Sequence, residues 1–252
     1  MKLVTMNVNG LHSAWERGLK QYVRDLDADV FCMQEIRTSE NLELRFIPGY
    51  GEYFLPSSKK GRAGVGAFIK EEPLSVSGGF DMEGSFEEGR AMTIEMEKFY
   101  IVNVYAYAAG ERLEMLGVKL GWMAALREHV AALMKAKPVI VCGDLNVAIT
   151  DFDLPGSLNR EERESAAGAT TSERLWIARL LEKGLVDAWQ IAHPKKRGVS
   201  WTPYWVRRNN EIYGWRLDYF LVSEELLEKV RSCEILDRTD LSDHRAVMLD
   251  IG

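Results

Sequence analysis

Cysteine, histidine and proline are all scarce. The 252 residues include three cysteines, four histidines and seven prolines. Cys32, Cys142 and Cys233 each lie in or beside an apolar segment, and no two form a Cys-x-x-Cys pair. An odd number at these spacings argues against a disulfide framework and suits a reducing cytosol, with all three expected as small buried residues. Long apolar runs are also missing, and none approaches the length of a membrane span. The N-terminal MKLVTMNVNG interrupts its apolar residues with Thr5, Asn7 and Asn9, unlike a signal peptide. The chain is therefore expected to be soluble and cytoplasmic, with no membrane association. No Pro/Gly/Ser-rich linker, block of like charge or fixed-period repeat divides it, so residues 1–252 read as one domain. A monomer is the simplest expectation.

The composition can build a sizeable core, with 46% hydrophobic residues. The formal net charge is -6, which by itself counts against a nucleic-acid partner. The cations are unevenly spread, however. Lys195, Lys196, Arg197, Arg207, Arg208 and Arg216 fall close together, interleaved with Trp201, Tyr204, Trp205, Tyr213 and Trp215. Cations mixed with aromatics suit a surface that tracks a phosphate backbone and stacks bases. A solvated loop over an aromatic core edge explains the same pattern equally well.

Short, β-branched apolar segments predict strands at Leu3–Val8, Val30–Gln34, Gly64–Ile69, Ala91–Met96, Tyr100–Tyr105, Val139–Cys142, Leu217–Val222, Cys233–Leu236 and Val247–Ile251. Amphipathic spacing predicts helices over Trp15–Leu26, Glu111–Met134 and Ser172–Lys183. Thr170 and Glu173 have capping-box spacing at the start of the last of these. Helices separate some strands, while others follow one another as hairpins. That mixture predicts an α/β (α+β) fold: a four-layer α/β sandwich of two packed mixed sheets flanked by helices.

Polar residues recur where the apolar strands end. Asn7 closes the first, Glu35 follows VFCMQ, and Tyr105 closes IVNVY. Asp144 and Asn146 follow VIVCG, Asp218 opens YFLV, and Asp243-His244 precedes the last strand. One such residue is an ordinary turn cap, but strand ends of packed sheets can share one rim, where functional residues collect. Oxygen donors without cysteine suit a hard cation such as Mg²⁺, with Glu35 as the main ligand and Asp243 and Asn7 beside it. Of the four histidines only His244 stands directly beside an acid in a turn. A metal, carboxylates, a histidine and side-chain amides meet the needs of phosphate-ester hydrolysis.

MNVNGL, MQEIR, VCGDLNVA, GWRLDYFLVS and LSDHRAV resemble, in order and spacing, the signature blocks of the exonuclease III / class II abasic-site endonuclease family, within the endonuclease–exonuclease–phosphatase superfamily. The resemblance runs from Asn7 to His244. GDLN and SDH mark the superfamily, whereas GWRLDYFLVS and DFDL point to the DNA-repair branch in its short bacterial or archaeal form. It implies the four-layer sandwich, Mg²⁺ (or Mn²⁺) dependence, and double-stranded DNA, especially abasic DNA, as partner. The implied activity is cleavage 5′ to abasic sites with 3′→5′ exonuclease action, as in base-excision repair. By motif, Glu35, Asn7 and Asp243 resemble the metal site. Asp144 resembles the residue that activates water, and Asn146 and His244 those that hold the phosphate. Asp218 resembles the partner that orients His244, and Tyr105 a neighbour of the scissile phosphate. Asn9 and Arg37 would contact substrate, and Trp215 and Leu217 would line the pocket for an extruded sugar.

Departures from the family pattern fall on substrate contacts. His12 stands where arginine is usual, Met6 replaces an aromatic, and Ala108 replaces an asparagine. Ser200 takes the place of an aromatic pocket wall, and Arg245 is set beside the site. Lower selectivity for abasic sites is expected. The alternatives are a superfamily hydrolase acting on non-specific DNA, RNA or phosphomonoesters, and a non-catalytic DNA-binding protein on a retired nuclease fold.

Overall fold

The computed structural model describes residues 1–38, 47–80, 87–156, 158–206, 213–238 and 240–252. The strands in chain order are β1 (Lys2–Asn7), β2 (Val30–Gln34), β3 (Gly51–Leu55), β4 (Val65–Ile69), β5 (Ser75–Gly78), β6 (Ala91–Glu95), β7 (Tyr100–Tyr105), β8 (Val139–Asp144), β9 (Leu185–Asp187), β10 (Asp218–Ser223), β11 (Val230–Ile235) and β12 (Val247–Ile251). The helices are α1 (Leu11–Glu16), α2 (Leu19–Leu26), α3 (Leu116–Leu133), α4 (Arg160–Ser165), α5 (Thr171–Leu181) and α6 (Ala188–Ala192). One six-stranded sheet has the order β11-β12-β1-β2-β4-β3 and the other β5-β6-β7-β8-β10-β9. Each is mixed, since β1 and β2 run parallel, as do β7 and β8, while their neighbours are antiparallel.

Three apolar clusters give the expected four layers. One, with Ile94, Ile140, Phe220, Val65, Val247 and Leu249, fills the space between the sheets. A second packs Trp122, Leu126 and Val130 of α3 and Ile177 of α5 onto the outer face of the β7–β8 sheet. The third sets Leu19, Tyr22 and Val23 of α2 against the outer face of the β1–β2 sheet. The central strands are buried along their whole length, so their sequences read as continuous apolar runs. No helix among the described residues is long and apolar enough to cross a membrane.

The expected helix over Trp15–Leu26 is two helices. Gly18 sits between them at φ 100, a left-handed conformation that breaks the hydrogen-bond ladder. α3 begins later than expected, after Gly110 and Leu113, both at positive φ. α5 starts as the capping box predicts, with Thr170 accepting from the Glu173 backbone. Strands β3, β5 and β9 are not signalled by the sequence pattern. β5 (SVSG) is a half-polar edge strand, and β9 has only three residues.

The register aligns the polar strand ends on one rim. Asn7 pairs with Gln34 across β1 and β2, and Tyr105 pairs with Asp144 across β7 and β8. β10 runs antiparallel to β8, so its first residue, Asp218, lies opposite Asp144. β12 runs antiparallel to β1, which brings the turn before it, with Asp243 and His244, to the same rim. Gly143 immediately before Asp144 has φ +125, and a Cβ there would meet the Val104 carbonyl at 2.1 Å. The tight approach of β8 to β7 at this end therefore admits only glycine.

Candidate active site

A cleft of about 750 Å³ opens at this rim, and Asn7, Glu35, Tyr105, Asp144, Asn146, Asp243 and His244 all line it. Asn9, Arg37, Trp215 and Leu217 line it too, whereas Asp218 is buried beneath. Asn9, Glu35, Arg37 and Asn146 all adopt φ near +50. Left-handed backbone costs a non-glycine residue roughly 1–2 kcal/mol, and such residues gather at functional sites. The strain is held by the Gly10 and Leu11 amides, which donate to the Glu35 and Ile36 carbonyls, and by the Ile36 and Arg37 amides, which donate to Gly64 and Ala63.

Asp144 is the centre of the hydrogen bonding. Asn7 Nδ2 donates to Asp144 Oδ2 at 2.9 Å, and the Asn146 amide donates to Oδ1 at 2.9 Å. Burial pushes the Asp144 carboxyl up to about 7, against the lowering effect of His244 and these donors. His244 Nδ1 lies 2.9 Å from Asp218 Oδ2, and its Nε2 lies 3.9 Å from Asp144 Oδ2. Burial disfavours a charged His244, but the Asp218, Asp144 and Asp243 carboxylates outweigh it and raise its pKa to about 10. His244 is thus an imidazolium near neutrality, with Nδ1 donating to Asp218 and Nε2 facing Asp144.

Asp243 accepts from Trp201 Nε1 at 2.9 Å and from Asn9 Nδ2 at 2.8 Å. Burial alone would raise its pKa; charged His244 and these two donors bring it below the usual carboxylate value. Tyr105 is pushed up by burial and by the Glu35 and Asp144 carboxylates, with its hydroxyl hydrogen-bonded to Glu35. It stays a neutral phenol. The Arg37 guanidinium lies against Glu35 through Nε and Nη2.

The donor set fits a hard cation. Glu35 and Asp243 offer carboxylate oxygens, and Glu35 already holds a positive group, the Arg37 guanidinium. Asn7 is engaged at both ends of its amide, since Oδ1 accepts the Asn9 amide at 3.0 Å while Nδ2 holds Asp144. It therefore reaches this centre through its neighbours. Asp144, Asp218 and His244 also bring potential ligand atoms within 4.8 Å of one another. In that trio, though, Asp218 Oδ2 and His244 Nδ1 already satisfy each other, which favours proton handling over ligation by those two atoms.

Several expectations need correction. Arg216 does not belong to a cationic surface; it is fully buried, with Nε 2.6 Å from Asp153 Oδ1 and Nη2 2.5 Å from Asp187 Oδ2. Arg197 donates to the Leu154 and Gly214 carbonyls, and Arg207 and Arg208 lie outside the described residues. Of the aromatic half of that pattern, Tyr204, Trp205 and Tyr213 are exposed, with Trp205 packed on Tyr213 at the mouth of the cleft, while Trp201 and Trp215 are half-buried. Arg245 is turned away, buried against the Val199 carbonyl at 3.1 Å. His12 pairs with Glu16 on the surface of α1. Ser200 is not a thinned pocket wall, because it is fully buried and contacts Asp218.

Two further residues touch the site, and their sequence context did not single them out for these roles. Trp201 holds Asp243, as above. Lys119 of α3, wholly buried, donates from Nζ to the Asn146 carbonyl at 2.5 Å and to Glu173 Oε1 at 2.6 Å. Its position on a helix face gave no local signal, since its partners lie 27 and 54 residues away.

The sequence pattern of the Endonuclease/Exonuclease/phosphatase family matches residues 4–244. The chain is 36% identical over 254 residues to a Bacillus subtilis (strain 168) protein named exodeoxyribonuclease, covering 100% of both chains. It is 35% identical to a Dictyostelium discoideum DNA-(apurinic or apyrimidinic site) endonuclease, over 92% of this chain and 64% of that one. Among solved structures, an AP endonuclease from Archaeoglobus fulgidus superposes with a TM-score of 0.84 at 26% identity, covering 100% of this chain and 99% of that one.

Proposed function

The chain belongs to the Endonuclease/Exonuclease/phosphatase family and is a nuclease of its DNA-repair branch, and we propose that with Mg²⁺ it hydrolyses phosphodiesters 5′ to abasic sites and degrades duplex DNA from 3′ ends. The observation that supports this most is the chain of contacts Asp218–His244–Asp144 beside Asn146 in one cleft. It sets a proton acceptor next to two donors suited to a phosphate. Asp144, titrating near neutrality, takes the proton of the attacking water. The His244 imidazolium holds a phosphoryl oxygen as negative charge grows on it, and the Asn146 side chain, whose Nδ2 donates to the Ala106 carbonyl at 2.9 Å in the free protein, would exchange that bond for one to the phosphate. Asp218 keeps the ring oriented and its charge stabilised, the role of the aspartate behind a triad histidine. Tyr105 donates a hydrogen bond as a neutral phenol. Nucleases of this family depend on a metal. Mg²⁺, for which Mn²⁺ can substitute, would be held by Glu35 and Asp243 with Asn7 beside them, and would neutralise charge on the phosphate. Asn9 and Arg37 contact the strand, and Trp215 and Leu217 receive the extruded sugar.

A second reading, in which exonuclease action outweighs lesion cutting, is favoured by one observation. The relative matched over the whole of both chains, the Bacillus subtilis protein, is named an exodeoxyribonuclease. Two end-labelled duplexes, one with a single abasic site and one fully paired, separate the readings in Mg²⁺ and in chelator. A metal-dependent cut 5′ of the lesion that is absent in Glu35→Ala supports the first. A 3′ ladder from both duplexes supports the second. No cleavage of either overturns the assignment to DNA.

A further inference from the structure

Ser200 is wholly buried, and its hydroxyl lies 2.6 Å from Asp218 Oδ2, the same oxygen that accepts from His244 Nδ1 at 2.9 Å. That hydroxyl also accepts the Leu217 and Asp218 amides at 2.9 and 3.1 Å. Its geometry is therefore determined: two backbone donors fix the lone pairs, and the proton has one direction left, toward Asp218. The other carboxylate oxygen, Asp218 Oδ1, is buried with no hydrogen-bond partner among the described residues. Ser200 and His244 together thus supply the side-chain hydrogen bonds that hold Asp218 in the rotamer that faces the histidine.

The backbone around Ser200 strengthens this reading. The Ser200 amide donates to the Trp215 carbonyl at 2.8 Å, and the Ser200 carbonyl accepts from the Arg245 amide at 2.6 Å. Trp201 forms β-bridges to both Trp215 and His244. Residue 200 is thus stitched between the segment that carries Asp218 and the segment that carries His244.

We propose that Ser200 is a positioning residue for the reaction, acting through Asp218 to fix the ring of His244. Ser200 orients the carboxylate, the carboxylate orients Nδ1–H, and Nε2 is thereby aimed at the phosphate. The inference rests on the nuclease reading for its catalytic consequence, but the positioning itself is a property of the free protein. A hydrogen bond to a charged group is worth enough to change kcat about tenfold when lost, with KM little altered because Ser200 does not line the cleft.

The test is a double-mutant cycle combined with proton NMR. Ser200→Ala is made in the native protein and in Asp218→Ala. The low-field resonance of the hydrogen-bonded His244 Nδ1–H, assigned by its loss in His244→Asn, is followed in parallel. Positioning through Asp218 gives a kcat loss of about tenfold in the native background and less than about twofold in Asp218→Ala, with a shifted or broadened resonance in Ser200→Ala. Equal losses in both backgrounds, or an unmoved resonance, overturn the proposal. Should Ser200→Ala fail to fold, Ser200→Cys, close in size with a weaker donor, carries the same comparison. A native protein that cleaves no DNA would remove the nuclease reading, and the resonance would still decide whether Ser200 positions His244.

Discussion

Asn7 donates to Asp144 at 2.9 Å across 137 residues of sequence, from the end of β1 in one sheet to the end of β8 in the other. It is a buried bond that joins the two sheets at the reacting centre. Removing the donor takes away an interaction that lowers the Asp144 pKa. Asn7→Ala should therefore raise that pKa and shift the acidic limb of the rate profile upward by roughly one pH unit. Cleavage rates from pH 5 to 9 measure the shift, and an unmoved limb would place the limiting group elsewhere.

In the native protein the rate should rise through about pH 7, as Asp144 loses its proton. It should fall toward about pH 10, as His244 loses the proton that lets Nε2 donate. A kcat/KM profile on an abasic duplex checks both limbs. In His244→Asn the alkaline limb should disappear along with most of the activity.

Trp201→Phe keeps the ring and deletes the indole N–H that reaches Asp243 at 2.9 Å. Losing such a supporting donor typically weakens metal binding about tenfold to hundredfold. The Mg²⁺ concentration giving half-maximal rate should increase accordingly, while the rate at saturating Mg²⁺ falls much less. If the rate at saturation falls and the Mg²⁺ midpoint stays put, Asp243 does not hold the metal.

Arg216 belongs to the core, where it bridges Asp153 and Asp187. Arg216→Met leaves two buried carboxylates facing one another without a counter-charge. Breaking one side of a buried pair costs about 3–5 kcal/mol, so the urea midpoint should fall steeply. A midpoint within error of the native value would show that these carboxylates take up protons or water at little cost.

Central strands such as β2 and β7 are legible because each is a short apolar run buried along nearly all its length, and β12 is legible although its burial alternates; the sequence pattern gives all three with their observed bounds. The residues at strand ends were legible for a related reason. A polar residue at the end of such a run departs sharply from its neighbours, and several such departures, in Asn7, Glu35, Tyr105, Asp144, Asn146 and Asp218, are visible before any fold is known. Edge strands such as β5 were not, because SVSG has no apolar face to signal pairing.

Sequence by itself determined the layered fold, the set of polar residues at the strand ends and the family resemblance. Only the tertiary structure decided which way individual side chains turn. Arg216 and Trp205 stand in one run of cations and aromatics, yet one is buried between two aspartates and the other is exposed at the cleft. Ser200 reads as a lost pocket wall and proves to be a buried partner of Asp218. The reason is physical: burial and hydrogen bonding of a loop residue are set by partners far along the chain, and no local periodicity encodes them.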